Sequence, residues 1–364
     1  MLSETEGKFL TMHEFAKAAK NRLDANIWDY LTGATETETT MRRNRLALDT
    51  LAFRPRVLRD VSTIDTTAEM FGKKLRLPVA LAPVGGLESF GANGAVTAGQ
   101  GASAFGVPLI VSSVTKPGLE ETAAHTPGPK IFQLYVRGDD SFIDDYADRS
   151  VAAGYDAFCF TVDTAVYSRR ERDIARRFAK PWRARVQGIE FQAALSWKQI
   201  DRFKAKYKMP VILKGIATAE DAALACEHGV DVVYVSNHGG RQLDHGRGAM
   251  DVLPEVVQAV GGRAKVWIDG GFSRGTDVVK ALCLGADLVG LGRLYCYALA
   301  ADGAAGVERM LEILETEIYT TMGLLGATKF SDLNPSFVHA GALATNAPHV
   351  FSAFPLLHLG DSGY

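Results

Sequence analysis

No run of about 20 apolar residues occurs in the 364-residue chain, so no membrane-spanning helix or hydrophobic anchor is expected. The N-terminus carries no short apolar core behind basic residues, so a secretory signal is not expected either. An excess of charge of one sign is also missing. The 40 Lys and Arg nearly balance the 42 Asp and Glu, and a formal net charge of -2 gives no reason to expect nucleic acid or an anionic membrane as partner. Cysteine is scarce. Cys159, Cys226, Cys283 and Cys296 fall in apolar segments and show no metal-ligand spacing. They are expected to be reduced core thiols of a cytoplasmic protein without a metal site.

What is present is one plan repeated. Short apolar runs recur, each followed by a helix-compatible stretch: LPVALAP from Leu77, VPLIVSS from Val107, KIFQLYV from Lys130 and AFCFTVD from Ala157. PVILKG from Pro210, VVYVSN from Val232, KVWIDG from Lys265 and LVGLGR from Leu288 continue the series. Helical segments such as Thr218–His228 and Thr276–Leu284 lie between them. Thr218 with Asp221 three residues on resembles a capping box with Asp in place of Glu. Strand–helix alternation favours a parallel sheet, and eight units favour a closed (β/α)8 barrel over an open doubly wound sheet. The expected layout is one domain over residues 1–364: an N-terminal helical extension to about residue 60, the barrel from about 75 to 325, and a tail from about 333. Met12–Leu31 reads as helical and is expected to pack on the barrel and deliver Tyr30. The tail is punctuated by Pro and Gly and weakly patterned; it either crosses to a neighbouring subunit or stays mobile.

The endings of the strands carry the chemistry. Gly85 lies just past the first run, Ser112 and Ser113 close the second, and Tyr135 ends the third. Asp163, Lys214, His238, Asp269 and Arg293 close the fourth to the eighth. In a barrel these ends form one mouth, where catalytic groups gather. The sixth ending is the most informative. There a β-branched strand stops at Ser236-Asn237-His238, Gly239 and Gly240 turn the backbone, and Arg241 follows. A lone histidine is more often structural. A base three residues from a fixed cation, at the end of a strand, suits taking a proton from an anionic substrate whose carboxylate the Arg holds. Two late segments suggest a phosphate site. IDGGFSRG (Ile268–Gly275) is Gly-rich and leads into a helix, and Gly290–Arg293 ends the eighth strand. Backbone N–H groups at a helix start attract phosphate, and barrels often bind it after strands seven and eight.

SNHGGRQLD, TVDTAVYSRRERD, VILKG, FQLY and IDGGFSRGTDVVKALCLGA resemble the FMN-dependent α-hydroxy-acid oxidase and dehydrogenase family. Its members include glycolate oxidase, lactate oxidase, lactate monooxygenase, flavocytochrome b2 and mandelate dehydrogenase. The resemblance runs from about Met12 to Leu333. It implies a (β/α)8 barrel with FMN across the mouth, oxidation of an (S)-2-hydroxy acid, and a homo-oligomer, tetramer or octamer. It further implies His238 as the base, Asp163 as its partner, and Arg241 and Arg170 as carboxylate ligands. Tyr135 and Tyr30 match substrate-contacting tyrosines, and Lys214 matches the lysine beside the flavin N1–C2=O edge. Pro83, Val84, Gly85, Ser112, Gln133 and Thr161 match flavin-contacting positions. So do Ser236, Asp269, Gly270, Gly271, Arg274, Gly292 and Arg293.

The chain departs from that pattern at several places. Ser273 stands where the family usually has Arg, and Arg274 comes one residue later, so a phosphate contact is displaced or lost. The loop from Phe178 to Leu195 is short. Val114 replaces a Trp of glycolate oxidase, so an aryl or longer alkyl hydroxy acid has room. Gly85 stands where oxidases more often carry Ala. Slow reaction of the reduced enzyme with O2, or product retention with coupled decarboxylation as in lactate monooxygenase, is expected from it. A quinone, dye or redox protein would then be the acceptor. A non-redox FMN barrel and a non-catalytic flavin or phosphate binder are the other readings; the first leaves Arg170 and Arg241 without a joint task and the second leaves His238 unexplained.

Overall fold

The computed structural model describes residues 7–178, 187–341 and 349–358. Eight parallel strands close a barrel: β1 (Val79–Leu81), β2 (Leu109–Ser112), β3 (Lys130–Leu134), β4 (Ala157–Thr161), β5 (Val211–Ile216), β6 (Val232–Val235), β7 (Lys265–Ile268) and β8 (Leu288–Leu291). Each pairs with the next in sequence. β8 returns to β1 with Val289 opposite Val79 and Leu291 opposite Leu81. All eight strands coincide with the apolar runs read from the sequence, β5 alone extending one residue further, to Ile216.

The runs are continuous rather than alternating because both faces of every strand are buried. Ala80, Ile110, Ile131, Cys159, Ile212 and Trp267 fill the barrel interior. Their neighbours Val79, Val111, Phe132, Phe158, Leu213 and Ile268 face the surrounding helices. A hairpin of Ala68–Met70 and Lys73–Leu75 stops one end of the interior, with Phe71 against Trp267 at 6.0 Å between ring centroids. The opposite end, where the strands finish, is left for the site.

Two sequence expectations are corrected. The first helix is two helices, Met12–Arg22 and Ala25–Thr32. Asp24 breaks the run because its carboxylate accepts from the N–H groups of Asn26 and Ile27, capping a new helix. The tail does not leave its own chain where it is described. Val338–Ala340 pairs antiparallel with Leu51–Phe53. Phe351 stacks on Trp28 at 5.7 Å, and Phe354 is buried. Aromatic burial, which Pro and Gly punctuation hides from a pattern search, decides that segment. Thr218 does cap the helix Ala219–Glu227, its hydroxyl accepting from the Asp221 N–H at 3.2 Å. Within the loop from Phe178 to Leu195, residues 179–186 lie outside the described residues. Its later part forms the turn Ile189–Ala193, from which buried Gln192 accepts from the Val136 N–H and donates to the Thr161 carbonyl.

Candidate active site

At the end of β6 the backbone turns through three consecutive residues of positive φ: His238 (58°), Gly239 (64°) and Gly240 (78°). Only glycine adopts this conformation without strain, and for His238 it is an uncommon one. A side chain at Gly240 would stand 2.6 Å from the Met41 nitrogen, because the helix Thr39–Asp49 crosses the mouth there. The cost of the turn is offset by what surrounds it. The His238 N–H donates to Ser236 Oγ at 3.0 Å, and its ring is held from both sides.

His238 Nδ1 lies 3.1 Å from Asp163 Oδ1 at the end of β4. Burial would raise the Asp163 carboxyl, but His238 and Lys214 outweigh it and hold it below the ordinary range. Asp163 is therefore an ionised acceptor, so Nδ1 carries the hydrogen and Nε2 is the free basic nitrogen. Burial lowers the His238 pKa from 6.5 despite Asp163, which leaves the ring neutral at pH 7 and able to take a proton. The Tyr135 hydroxyl, 3.3 Å away, donates to Nε2. Burial first, and Asp163 second, push the Tyr135 pKa far up, so it stays protonated.

Beside this pair stand cations. Arg241 lines the mouth with its guanidinium 4.7 Å from the Tyr30 ring centroid and donates to the carbonyls of Tyr30 and Gly33. Burial, and then the charge of Arg170, push Arg241 down to about 10. Two guanidinium groups close enough to disfavour each other suit an anion placed against both. Tyr30, Pro83, Val84, Gly85 and Arg170 line the same chamber, as do Gly270, Gly271 and Gly292.

Lys214, at 3 % exposure, lies at the end of β5 with Nζ 2.7 Å from Ser236 Oγ and 2.9 Å from Asp269 Oδ2. Burial alone would lower its pKa; Asp269 and Asp163 outweigh burial and raise it, so the ammonium persists. Asp269 thus serves as the counter-ion of Lys214 and lines the chamber too. Ser112, Gln133 and Thr161 are buried at the ends of β2, β3 and β4. Both side-chain polar atoms of Gln133, and the Thr161 hydroxyl, have no hydrogen-bond partner.

Buried polar atoms are normally satisfied, and these three lie at strand ends where a ligand's polar edge would satisfy them. They fit FMN. An isoalloxazine edge carries carbonyl, N–H and ring-nitrogen positions that answer an amide, a hydroxyl and an ammonium. A Cβ placed on Gly292 would meet nothing within 4 Å, so the backbone at the start of the helix Arg293–Leu325 is open to a phosphate.

Two expected contacts are placed differently. Arg274 does not line the chamber. Its guanidinium donates to Glu317 and to the Ala353 carbonyl, because it belongs to the outward face of the turn that Ser273 begins. Ser273 lines the chamber instead, so the cation expected after IDGGF is lost there. Arg293 does line it, but its donors are engaged by the carbonyls of Leu31, Gly33 and Gly239.

Several lining residues escape a reading of strand ends. Asn44 and Asn237 exchange amide hydrogen bonds at 2.9 and 2.7 Å. Arg45 makes a bidentate pair with buried Asp277 and also reaches the Gly271 carbonyl. Both come from the helix Thr39–Asp49, over 190 residues from their partners. Val350, from the tail, and Arg137 line the chamber as well. Arg137 lies two residues past Tyr135, where nothing local separates it from an ordinary polar residue after a strand.

Gly85 has a packing reason of its own. A Cβ there would stand 2.8 Å from Val114 Cγ2. The positive φ of the turn belongs to Gly86 (71°).

A neutral imidazole on an ionised aspartate, two neighbouring arginines and a buried lysine thus meet at the mouth of a (β/α)8 barrel. The sequence matches the FMN-dependent dehydrogenase family over residues 19–191 and 183–340, and the chain belongs to that family. Glycolate oxidase 1 of Oryza sativa subsp. indica is 36% identical over 373 residues, covering 96% of this chain and all of the relative. An L-lactate oxidase of Nostoc sp. is 34% identical, covering 91% and 98%. Among solved structures, a mandelate oxidase with (S)-2-phenylpropionate superposes with a TM-score of 0.86 at 36% identity, covering 92% of this chain and 100% of that one. A mandelate oxidase mutant with a C4a-OH-FMN adduct gives a TM-score of 0.83 at 37% identity, covering 90% and 98%. The protein is an FMN-dependent oxidoreductase. Among the described residues no helix is long and apolar enough to cross a membrane.

Proposed function

We propose that the protein oxidises an (S)-2-hydroxy acid to the 2-oxo acid, with Arg170 and Arg241 binding the carboxylate and His238 taking the substrate proton. The observation that carries this reading is the juxtaposition of two mutually repelling guanidinium groups with a neutral, Asp-held imidazole. Oxidation of the alcohol carbon removes two electrons and two protons, and FMN, when bound, supplies the two-electron acceptor. The arginines fix the carboxylate plane and so present the hydroxyl-bearing carbon to Nε2. Asp163 stabilises the imidazolium that proton uptake creates. The Tyr135 hydroxyl, which rests on Nε2, is displaced toward the substrate oxygen. Lys214 opposes the negative charge that reduction brings to the cofactor site. Ser112, Gln133, Thr161, Ser236 and the Gly270–Gly271 and Gly292 backbones are the groups that hold FMN.

The whole chain acts as one unit, since the N-terminal extension supplies Tyr30 and the tail supplies Val350 to the same chamber. The relatives named above are oxidases, and the glycine at 85 is accounted for by Val114 without reference to oxygen. O2 is therefore the acceptor of this reading, in place of a quinone or redox protein. A cytoplasmic location completes it, in line with four free cysteines, and the homo-oligomer rests on the family resemblance. The test is anaerobic addition of 2-hydroxy acids to the yellow purified protein. Bleaching of the flavin band is expected. A flavin that stays oxidised with glycolate, (S)-lactate, (S)-mandelate and (S)-2-hydroxyglutarate alike refutes the reading, and stopped-flow reoxidation decides the acceptor.

A further inference from the structure

The chamber contains a cation, Arg137, that neither carboxylate binding nor the FMN site uses. Arg137 leaves the end of β3 two residues beyond Tyr135. Its guanidinium lies 5.9 Å from the Tyr135 ring centroid and 5.3 Å from that of Tyr167. Nη2 donates to the Tyr167 hydroxyl at 3.0 Å. Nε and Nη1 are buried and have no acceptor.

The other lining arginines differ. Arg45 is paired with Asp277, and Arg241 and Arg293 donate to backbone carbonyls. Arg170 has the substrate carboxylate as its proposed task. The acid that lines the chamber, Asp269, is already bonded to Lys214. Among the described residues Arg137 is thus a half-buried charge with two buried nitrogens and no carboxylate partner, an arrangement that an anionic ligand would satisfy. The two rings limit its swing and hold it against the chamber.

We propose that Arg137 binds an anionic group at the far end of the substrate, so that the enzyme favours a 2-hydroxy dicarboxylic acid. This rests on the 2-hydroxy-acid reading above and deepens it. The geometry sets the spacing. Tyr135 touches His238 with its hydroxyl, and Arg137 stands against the ring of the same tyrosine. The second carboxylate must therefore reach about one ring's length from the reacting carbon. A five-carbon diacid, (S)-2-hydroxyglutarate, spans this better than the four-carbon malate. A carboxylate suits the site better than a neutral acceptor because only it cancels the charge while accepting from a guanidinium N–H.

Two measurements test this on holoenzyme. The first is the anaerobic flavin-reduction efficiency for (S)-2-hydroxyglutarate divided by that for (S)-2-hydroxyhexanoate, whose far end is uncharged, in wild type, Arg137→Met and Arg137→Lys. The ratio is expected to favour the diacid in wild type and to fall about ten- to a hundredfold in Arg137→Met, as loss of a charge-assisted contact requires. Arg137→Lys should keep part of it. The second is the dissociation constant of 2-oxoglutarate, read from the flavin spectrum without turnover, which should rise by a similar factor. Because the ratio is taken within one variant, partial loss of folding or FMN does not disturb it. A wild type that reduces well with hexanoate or mandelate analogues and does not favour the diacid overturns this inference and leaves the parent reading standing. So does a ratio unmoved by Arg137→Met. A flavin that no 2-hydroxy acid reduces overturns both.

Discussion

Gly85→Ala adds one methyl where the structure has no room for it. The new Cβ would lie 2.8 Å from Val114 Cγ2 and 3.7 Å from the Val114 carbonyl. Carbon atoms rest about 3.5–4.0 Å apart, so the two must separate by roughly 1 Å. Val114 is β-branched and stiff at χ1, so it either changes rotamer or drags its backbone. Overpacking of this kind costs about 1–3 kcal/mol. Val114 also lines the chamber, so a retreat that way removes substrate space. A lost methyl's worth of pocket is worth roughly 10- to 200-fold in kcat/KM, and it should fall on bulky substrates rather than on glycolate. Tyr30 would feel the same shift, since its hydroxyl donates to the Gly85 carbonyl at 3.2 Å. The assay is a double-mutant cycle of Gly85→Ala and Val114→Ala, read by urea unfolding of the holoenzyme and by kcat/KM for glycolate and (S)-mandelate. Val114→Ala clears the obstacle, so the double variant should recover at least about 1 kcal/mol relative to additivity. Additive effects, or a neutral Gly85→Ala, would show that the contact does not set the residue at 85.

His238→Gln should keep the flavin spectrum and lose substrate-driven reduction by about 10²- to 10⁴-fold, checked by anaerobic stopped flow. Arg241→Lys and Arg170→Lys should each weaken turnover of the acid far more than that of its neutral ester, because a point charge does not replace a planar fork; equal losses would mean that neither reads the carboxylate. Because burial sets His238 below 6.5, the acid limb of kcat/KM should fall below that pH, and an inflection above it would contradict a desolvated neutral base. Arg45→Met leaves Asp277 buried and unpaired, and chemical denaturation should show a loss of about 3–5 kcal/mol, relieved in part by adding Asp277→Asn.

The sequence by itself determined the barrel. A strand buried on both faces must be apolar at every position, so eight such runs were visible without any tertiary information. The turn chemistry after β6 was visible too, because Gly239–Gly240 and His238–Arg241 are neighbours in the chain. So was the polar residue on nearly every strand end, since period and register alone bring those ends to one mouth. What only the tertiary structure decided involves partners far apart in sequence. No local pattern shows that Asn44 and Arg45 reach Asn237 and Asp277, that Val114 forbids a side chain at 85, or that Phe351 docks on Trp28. The direction of a side chain was equally hidden. Ser273 and Arg274 are adjacent, yet the first faces the chamber and the second pairs with Glu317. Arg137 reads as an ordinary polar residue after a strand. Only its place beside two rings, with two buried nitrogens left without an acceptor, marks it as a charge for a ligand to answer.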